Sequence, residues 1–175
     1  MNIENTRLQY KPERIKYLLI AEAPPSKDSG RFFYFSDVKE KDGLFLETMK
    51  VLFPKELMNT HIPAVRKNKK MFLDKFKEGG FYLIDSIDEP LDDNFTHSQK
   101  INLIVNGQPI LLNKIRNLIS SDTKIILISS RVFKANYSFL VENKISVVNI
   151  LPIDFPASGN QKKYRLKLAK AIGIE

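Results

Sequence analysis

The stretch YLLIA at residues 17–21 is followed at once by EAPP at residues 22–25, and this step from an apolar run to a polar corner decides the fold. The same arrangement returns near the end of the chain, where VVNIL at residues 147–151 leads into PIDFPASGN at residues 152–160. In an open parallel α/β sheet, ligands bind beyond the carboxyl ends of the strands. We therefore expect the two loops to meet at one cleft, although they are far apart in sequence.

Four apolar runs with little alternation predict strands that are buried on both faces, as a parallel sheet requires. They span residues 15–21, 80–84, 124–129 and 146–151. Helical patterns separate or follow them at residues 43–53, 64–77, 101–119, 131–143 and 158–172. This order predicts a single domain over residues 1–175, built as a three-layer α/β/α sandwich with a four-stranded parallel sheet and right-handed crossovers.

Two helices carry finer expectations. The helix at residues 101–119 contains Gly107 and Pro109, which make a break there an open alternative. The last helix is expected to use Ser158 as its N-cap and to bury Leu166, Ala169 and Ile172.

The composition excludes several kinds of site. The chain has no cysteine, which rules out disulfides, thiolate zinc sites and iron–sulfur clusters. No phosphate-binding glycine loop or dinucleotide fingerprint is present, so we expect no cofactor. We also expect no metal, with magnesium on the acidic residues of 85–93 as the alternative.

The sequence predicts no membrane association, because no apolar run approaches the ~20 residues of a membrane span and the first residues lack the apolar centre of a signal peptide. We expect a cytoplasmic protein. A formal net charge of +8 favours a polyanionic partner. The bases are concentrated at residues 66–77 and 162–170, where solvated helix faces are the equally open alternative.

Two motifs resemble those of a known family. The segment LLIAEAPP at residues 18–25 resembles the first motif of the uracil-DNA glycosylase superfamily, in which a strand ends in a Gly-Glu-Ala-Pro-Gly-like loop. The segment FPAS at residues 155–158 is similar to the second motif, a His-Pro-Ser-like loop after the last strand. The order of elements follows the family from about residue 12 to residue 172. The resemblance implies that fold, and hydrolysis of the N-glycosidic bond of a damaged or unusual base in DNA.

The resemblance also implies roles for acidic residues. A glycosylase removes a nucleotide from the stack and brings water to the sugar carbon as the bond to the base breaks. An acidic side chain can hold that water and stabilise the positively charged sugar, and Glu22 is the candidate. Asp154 and Phe155 stand where the family has its histidine, and Asp154 is the second candidate catalytic residue. The alternative for Glu22 is a helix cap or an ion pair with Arg31.

Contacts to the base are expected from Ala23, from Phe33 or Tyr34 as the stacking ring, and from Asp85 as the reader of the base edge. A carboxylate only accepts hydrogen bonds, so Asp85 favours a base with an exocyclic amine over uracil. The alternative for the aromatic run at residues 32–35 is a short strand or core packing. His97 is a candidate for the missing hydrogen-bond donor, and a surface position is its alternative.

Contacts to phosphate are expected where the last helix begins, because free amides and the helix dipole favour an anion there. The candidates are Arg31, Ser158, Gly159, Asn160, Lys162 and Lys163. DNA is the expected partner, and the sequence leaves the oligomeric state open. Two other functions stay open: a non-catalytic nucleic-acid or nucleotide-binding module, and an enzyme acting on a small nucleoside or phosphorylated metabolite.

Overall fold

The computed structural model of the chain describes residues 2–26, 29–57, 60–157 and 159–174. Within these ranges the strands are β1 (Tyr17–Ala21), β2 (Phe81–Asp85) and β3 (Lys124–Leu127). The helices are α1 (Ile3–Gln9), α2 (Gly43–Leu52), α3 (Pro54–Leu57), α4 (Ile62–Lys67), α5 (Lys69–Glu78), α6 (His97–Asn106), α7 (Gln108–Leu118), α8 (Ser130–Glu142) and α9 (Gln161–Ile172).

The three strands form a parallel sheet in the order β2-β1-β3. Tyr17 of β1 pairs with Phe81 of β2 and with Lys124 of β3, so the strands start level with one another. Their carboxyl ends therefore lie along one edge of the sheet. Leu18 and Ile20 on one face of the central strand and Leu19 on the other are all buried, which explains why the run lacks the alternation of a half-exposed strand.

The helices fall into two groups that cover the sheet. Helix α2 packs against α5 and α9, whereas α6 packs against α7 and α8. Because β1 is the central strand, the chain moves one way across the sheet from β1 to β2 and the opposite way from β2 to β3. Right-handed crossovers then place the helices of these two connections on opposite faces of the sheet. The grouping agrees with this rule, and the mixed α/β architecture is consistent with an α/β/α sandwich.

The fourth strand expected at residues 146–151 is not confirmed. Two single bridges join this region to β3 and its extension, one from Ile125 to Val147 and one from Ile128 to Ile153. The chain follows the sheet edge here without forming a continuous ladder.

The side chain of Asn149 replaces part of that ladder. Its Oδ1 accepts from the Leu127 N–H over 2.9 Å, and its Nδ2 donates to the Leu127 carbonyl oxygen over 3.2 Å. The backbone is thereby freed to turn away from the sheet. Ile150 and Leu151, which the sequence pattern placed in a buried strand, are 73% and 67% exposed.

The helix expected at residues 64–77 is divided into α4 and α5 by Asn68. The Asn68 Nδ2 donates to the Ala64 carbonyl oxygen over 3.0 Å, and a side chain that competes for a main-chain carbonyl favours a helix end. The break at Gly107 is confirmed, since this glycine separates α6 from α7.

The last helix differs from its prediction in two ways. It begins at Gln161 after Asn160, and the expected N-cap Ser158 lies outside the described residues. The expected burial of Leu166 is wrong, because this side chain is 63% exposed. The buried stripe consists of Tyr164, Leu168 and Ile172 at intervals of four, and a residue midway between two of its members faces away.

The aromatic run at residues 32–35 is a buried turn, closed by a hydrogen bond of 3.0 Å from the Phe35 N–H to the Phe32 carbonyl oxygen. Tyr34 provides hydrogen-bond partners for the backbone at the outer edge of β2. Its hydroxyl accepts from the Leu83 N–H over 2.7 Å and donates to the Leu83 carbonyl oxygen over 3.1 Å.

No helix in the described ranges is both long enough and apolar enough to cross a membrane.

Candidate functional site

A cleft of about 510 Å³ lies beyond the carboxyl ends of β1 and β2. Its wall includes Ala21 and Asp85, the last residues of these strands, so it occupies the place where open parallel sheets bind ligands. Residues 22–26 of the early loop line it, and so do Phe155 and Ala157 of the late loop. The expectation that the two loops share one cleft is confirmed. Ala23, a predicted base contact, is part of this wall.

Glu22 follows β1 directly, and its carboxylate is anchored from the side of β3. Its Oε2 accepts from Arg131 Nε over 2.8 Å and from Ser129 Oγ over 3.4 Å. No described residue donates to the other oxygen, Oε1, and the side chain is 14% exposed. The ion-pair partner is Arg131 and not Arg31. The carboxylate is thus fixed in the wall with one oxygen open to a water molecule or a ligand.

Ser129 connects this carboxylate to helix α8. Its Oγ also accepts from the Val132 N–H over 3.2 Å and caps α8. Its φ is 83°, a left-handed value that residues other than glycine rarely adopt. Non-glycine residues held in such conformations are often found at binding and catalytic sites. The left-handed conformation of Ser129 therefore supports a functional role for the part of the cleft that contains Glu22.

Arg131 lies in the first turn of α8 and in the cleft wall. Its Nε is used by Glu22, whereas its two terminal nitrogens donate to no described residue, and its side chain is 34% exposed. A guanidinium with two free amino groups has the geometry that binds a phosphate or carboxylate through paired hydrogen bonds. This residue is therefore a candidate anion contact.

Asp85 lines the cleft, but its carboxylate is already paired. Its Oδ2 accepts from Arg7 Nη2 over 2.5 Å, and both side chains are about 95% buried. The Arg7 guanidinium also lies over the ring of Phe32, 5.4 Å from its centroid. Burial raises the pKa of Asp85 to about 6, although Arg7 beside it acts in the opposite direction. Arg7 thus occupies Oδ2, and no described residue donates to Oδ1. The role of Asp85 as the reader of a base edge stays a prediction that depends on Oδ1.

The aromatic candidates differ in position. Phe33 lines the cleft but is only 6% exposed, with its ring packed on Phe45 and Phe76. Tyr34 is fully buried at the edge of β2 and is not available to stack on a base. Phe155, which was not predicted as a stacking ring, lines the cleft and is 43% exposed.

Asp154 is not brought to the cleft. Its Oδ2 accepts from Lys167 Nζ over 2.7 Å, which ties the late loop to helix α9. The Lys167 ammonium beside it holds the pKa of Asp154 below its usual range. The structure therefore gives this carboxylate a tethering contact in place of the predicted catalytic position.

The predicted phosphate contacts are mostly elsewhere. Arg31 lines the cleft. Ser158 lies outside the described residues, and the four remaining candidates do not line the cleft; they are Gly159, Asn160, Lys162 and Lys163. The two lysines are exposed at the start of α9.

Sequence reasoning missed Ser129, Arg131 and Arg7. Ser129 ends the third apolar run and Arg131 lies two residues later, so the rule that selected Glu22 after the first run could have selected them as well. Arg7 belongs to the short helix α1, and no pattern in the sequence links it to Asp85, which is 78 residues away.

Metal and histidine contributions are limited. Among residues 2–26, 29–57, 60–157 and 159–174, no three histidine, aspartate or glutamate side chains gather in a way that could hold a metal ion. His97 is the exposed first residue of α6 and does not line the cleft.

Comparisons with protein-family models, with curated proteins and with solved structures found no significant match to this chain.

Proposed function

We propose that the chain is a divergent domain of the uracil-DNA glycosylase type, which binds DNA and hydrolyses the N-glycosidic bond of a damaged or unusual base. The observation that carries this proposal is the anchored carboxylate of Glu22. It lies in a cleft lined by both motif-like loops, and its Oε1 has no partner among the described residues.

The chemistry needs one carboxylate in this position. As the bond between the sugar carbon and the base breaks, its electron pair leaves with the base and positive charge develops on the sugar. A water oxygen bonds to that carbon, and one water proton is transferred to the departing base, so that atoms and charge balance. Oε1 of Glu22 would hold the water, and the carboxylate charge would stabilise the sugar.

Size and charge support a nucleotide as the occupant. A volume of about 510 Å³ falls within the range of small-molecule pockets. The cations in the wall are Arg31, Lys41, Lys100 and Arg131. Two of the four wall carboxylates, Asp42 and Asp85, are buried in pairs with arginines. The side chains that remain exposed therefore favour an anion such as a phosphodiester.

A non-catalytic nucleic-acid or nucleotide-binding module is the second candidate. It is favoured by the contacts of Asp85 and Tyr34, since Arg7 occupies one oxygen of the Asp85 carboxylate and Tyr34 is buried against Leu83. It is also favoured by the second motif, where Asp154 and Phe155 stand in place of the family's histidine and Asp154 is paired with Lys167.

Release of free base from DNA carrying a panel of base lesions separates the two candidates. The first function predicts release by the native chain, a loss of about 100-fold or more in Glu22→Gln, and no change in the matched control Glu142→Gln at the exposed end of α8. Release that survives Glu22→Gln contradicts the catalytic role. Salt-dependent DNA binding without release from any lesion supports the second function, and absence of binding contradicts both.

A further inference from the structure

Helix α2 begins in the cleft wall, and its first amide groups are unpaired. Its first three residues, Gly43, Leu44 and Phe45, all line the cleft. Asp42 holds the N-cap position but its side chain accepts no hydrogen bond from the helix. In the part of the chain that the structure describes, the N–H groups of these three residues donate to no acceptor. A helix start of this kind carries partial positive charge.

Asp42 does not cap the helix because its carboxylate faces α4 and α5. Its Oδ1 accepts from both Nε and Nη2 of Arg66, over 2.9 and 2.8 Å. Its Oδ2 is buried and accepts no hydrogen bond. The negative charge next to the start of α2 is therefore largely neutralised by an arginine.

A second cation, Lys69, lies behind the same wall. Its side chain is fully buried, and its Nζ has no hydrogen-bond partner among the described residues. The Nζ lies 3.8 Å from Asp42 Oδ2, within ion-pair range but too far for a hydrogen bond, and 4.3 Å from the ring centroid of Phe45. Burial lowers the pKa of Lys69 to about 8, although Asp42 acts in the opposite direction.

The buried Lys69 ammonium lacks hydrogen-bond acceptors. Arg66 and Lys69 share the carboxylate of Asp42, Asp37 is the other carboxylate that acts on Lys69, and the Lys69 Nζ donates to no described residue. A buried cation without hydrogen-bond partners is unfavourable. Lys41, which lines the cleft, is exposed and cationic. An anion at the start of α2 would accept from the unpaired amides and add a negative charge close to Lys41 and Lys69.

We propose that the amino terminus of α2 binds the phosphate group of the nucleotide that occupies the cleft, with Lys41 in front and Lys69 behind. The inference rests on the proposed function and adds the position of the phosphate. It differs from the sequence expectation, which placed the phosphate at the start of α9. Helix α2 has ten residues, enough for a developed dipole, and the amides of a helix start bind phosphate without a dedicated loop.

The test compares 2′-deoxycytidine 5′-monophosphate with 2′-deoxycytidine on the full chain by amide and lysine NMR. The monophosphate is expected to shift the amide signals of residues 43–45 and to raise the pKa of Lys69, whereas the nucleoside does neither. The groups that face Lys69 in this titration are Asp42, Arg66 and Asp37. The wild-type titration needs no substitution and therefore tests the proposal even where a variant fails to fold.

A variant pair extends the test. Lys69→Met is expected to weaken binding of the monophosphate about tenfold or more, whereas Lys70→Met, at an exposed position of the same helix, leaves it unchanged. This inference is overturned if the nucleoside and the monophosphate bind with equal affinity. It is also overturned if the phosphate shifts the signals of residues 159–163 in place of 43–45. Either result leaves the cleft as a base site. Absence of binding by both ligands and by DNA overturns the proposed function itself.

Discussion

Arg131 Nε lies 2.8 Å from Glu22 Oε2, and this ion pair joins the loop after β1 to the first turn of α8 across the carboxyl edge of the sheet. The two residues are 109 positions apart in the chain. Because the pair uses Nε, the terminal amino groups of the arginine stay open toward the cleft. One residue thus fixes the candidate catalytic carboxylate and offers an anion contact.

Arg131→Lys is expected to weaken binding of a single-stranded oligonucleotide about tenfold. A lysine has a single charged atom and cannot hold Glu22 and a phosphate in the way the branched guanidinium can. The free energy of unfolding should fall by about 1 kcal/mol or less, since both partners are partly exposed. Fluorescence anisotropy and urea unfolding measure the two effects. The same change at exposed Arg116 is the control, and an equal loss of binding there would contradict the role of Arg131.

Tyr34→Phe is expected to destabilise the fold without affecting ligand binding. The lost hydroxyl leaves a buried N–H and a buried carbonyl oxygen of Leu83 unpaired, which costs about 1–3 kcal/mol. Tyr137→Phe is the control, because the Tyr137 hydroxyl makes no hydrogen bond with a described residue. Thermal or urea unfolding gives the comparison. A loss of ligand affinity with unchanged stability would instead show that the Tyr34 hydroxyl contacts the ligand and not Leu83.

Asp85 is expected to make folding stability depend on pH. Its pKa is about 6 in the folded chain, above the ordinary aspartate value of 3.8, so its contribution is fully present below about pH 4 and is lost as the pH rises through 6. The charged groups that face it are Arg7, Lys114 and Asp88. Asp85→Asn should therefore become less destabilising, relative to the native chain, between pH 4.5 and pH 7.

Urea unfolding at these two pH values measures the effect, and Asp93→Asn at an exposed position is the control. A native chain and an Asp85→Asn variant whose stabilities change in parallel with pH would show that burial does not govern this carboxylate. The result bears on the site, since it reports the protonation state of a carboxylate that lines the cleft.

The register of the last helix can be tested by two leucine substitutions. Leu168→Ala removes a side chain that is 1% exposed and is expected to cost about 2–5 kcal/mol. Leu166→Ala removes a side chain that is 63% exposed and is expected to change the stability by about 0.5 kcal/mol or less. Chemical denaturation of both variants provides the measurement. The reverse order would support the stripe expected from the sequence and contradict the packing of α9.

Apolar runs and the corners that follow them predicted the three strands and the shared cleft, because burial on both faces of a parallel sheet leaves a direct mark in the sequence. The fourth apolar run, residues 146–151, shows the same pattern but forms only isolated bridges to the sheet. In that run the Asn149 side chain makes the hydrogen bonds to the Leu127 backbone that a neighbouring strand would make. A hydrophobic pattern cannot predict such a side-chain contact.

The site shows the same division. Glu22 follows a predicted strand and lies in the cleft wall, whereas the roles of Tyr34 and Asp154 were expected from the family resemblance. Each of them is held by a distant partner, Tyr34 by Leu83 and Asp154 by Lys167. Contacts of this kind depend on how the helices and strands pack, and they cannot be predicted from the local sequence.

Amide NMR during titration with a short single-stranded DNA shows whether the early and late loops form one nucleotide-binding cleft. We predict that the signals of Ala23 and Ala157, one from each loop, shift together at the same DNA concentration, along with that of Glu22. Shifts confined to one loop or to the exposed face of α9, or no shift at either loop, would contradict the account.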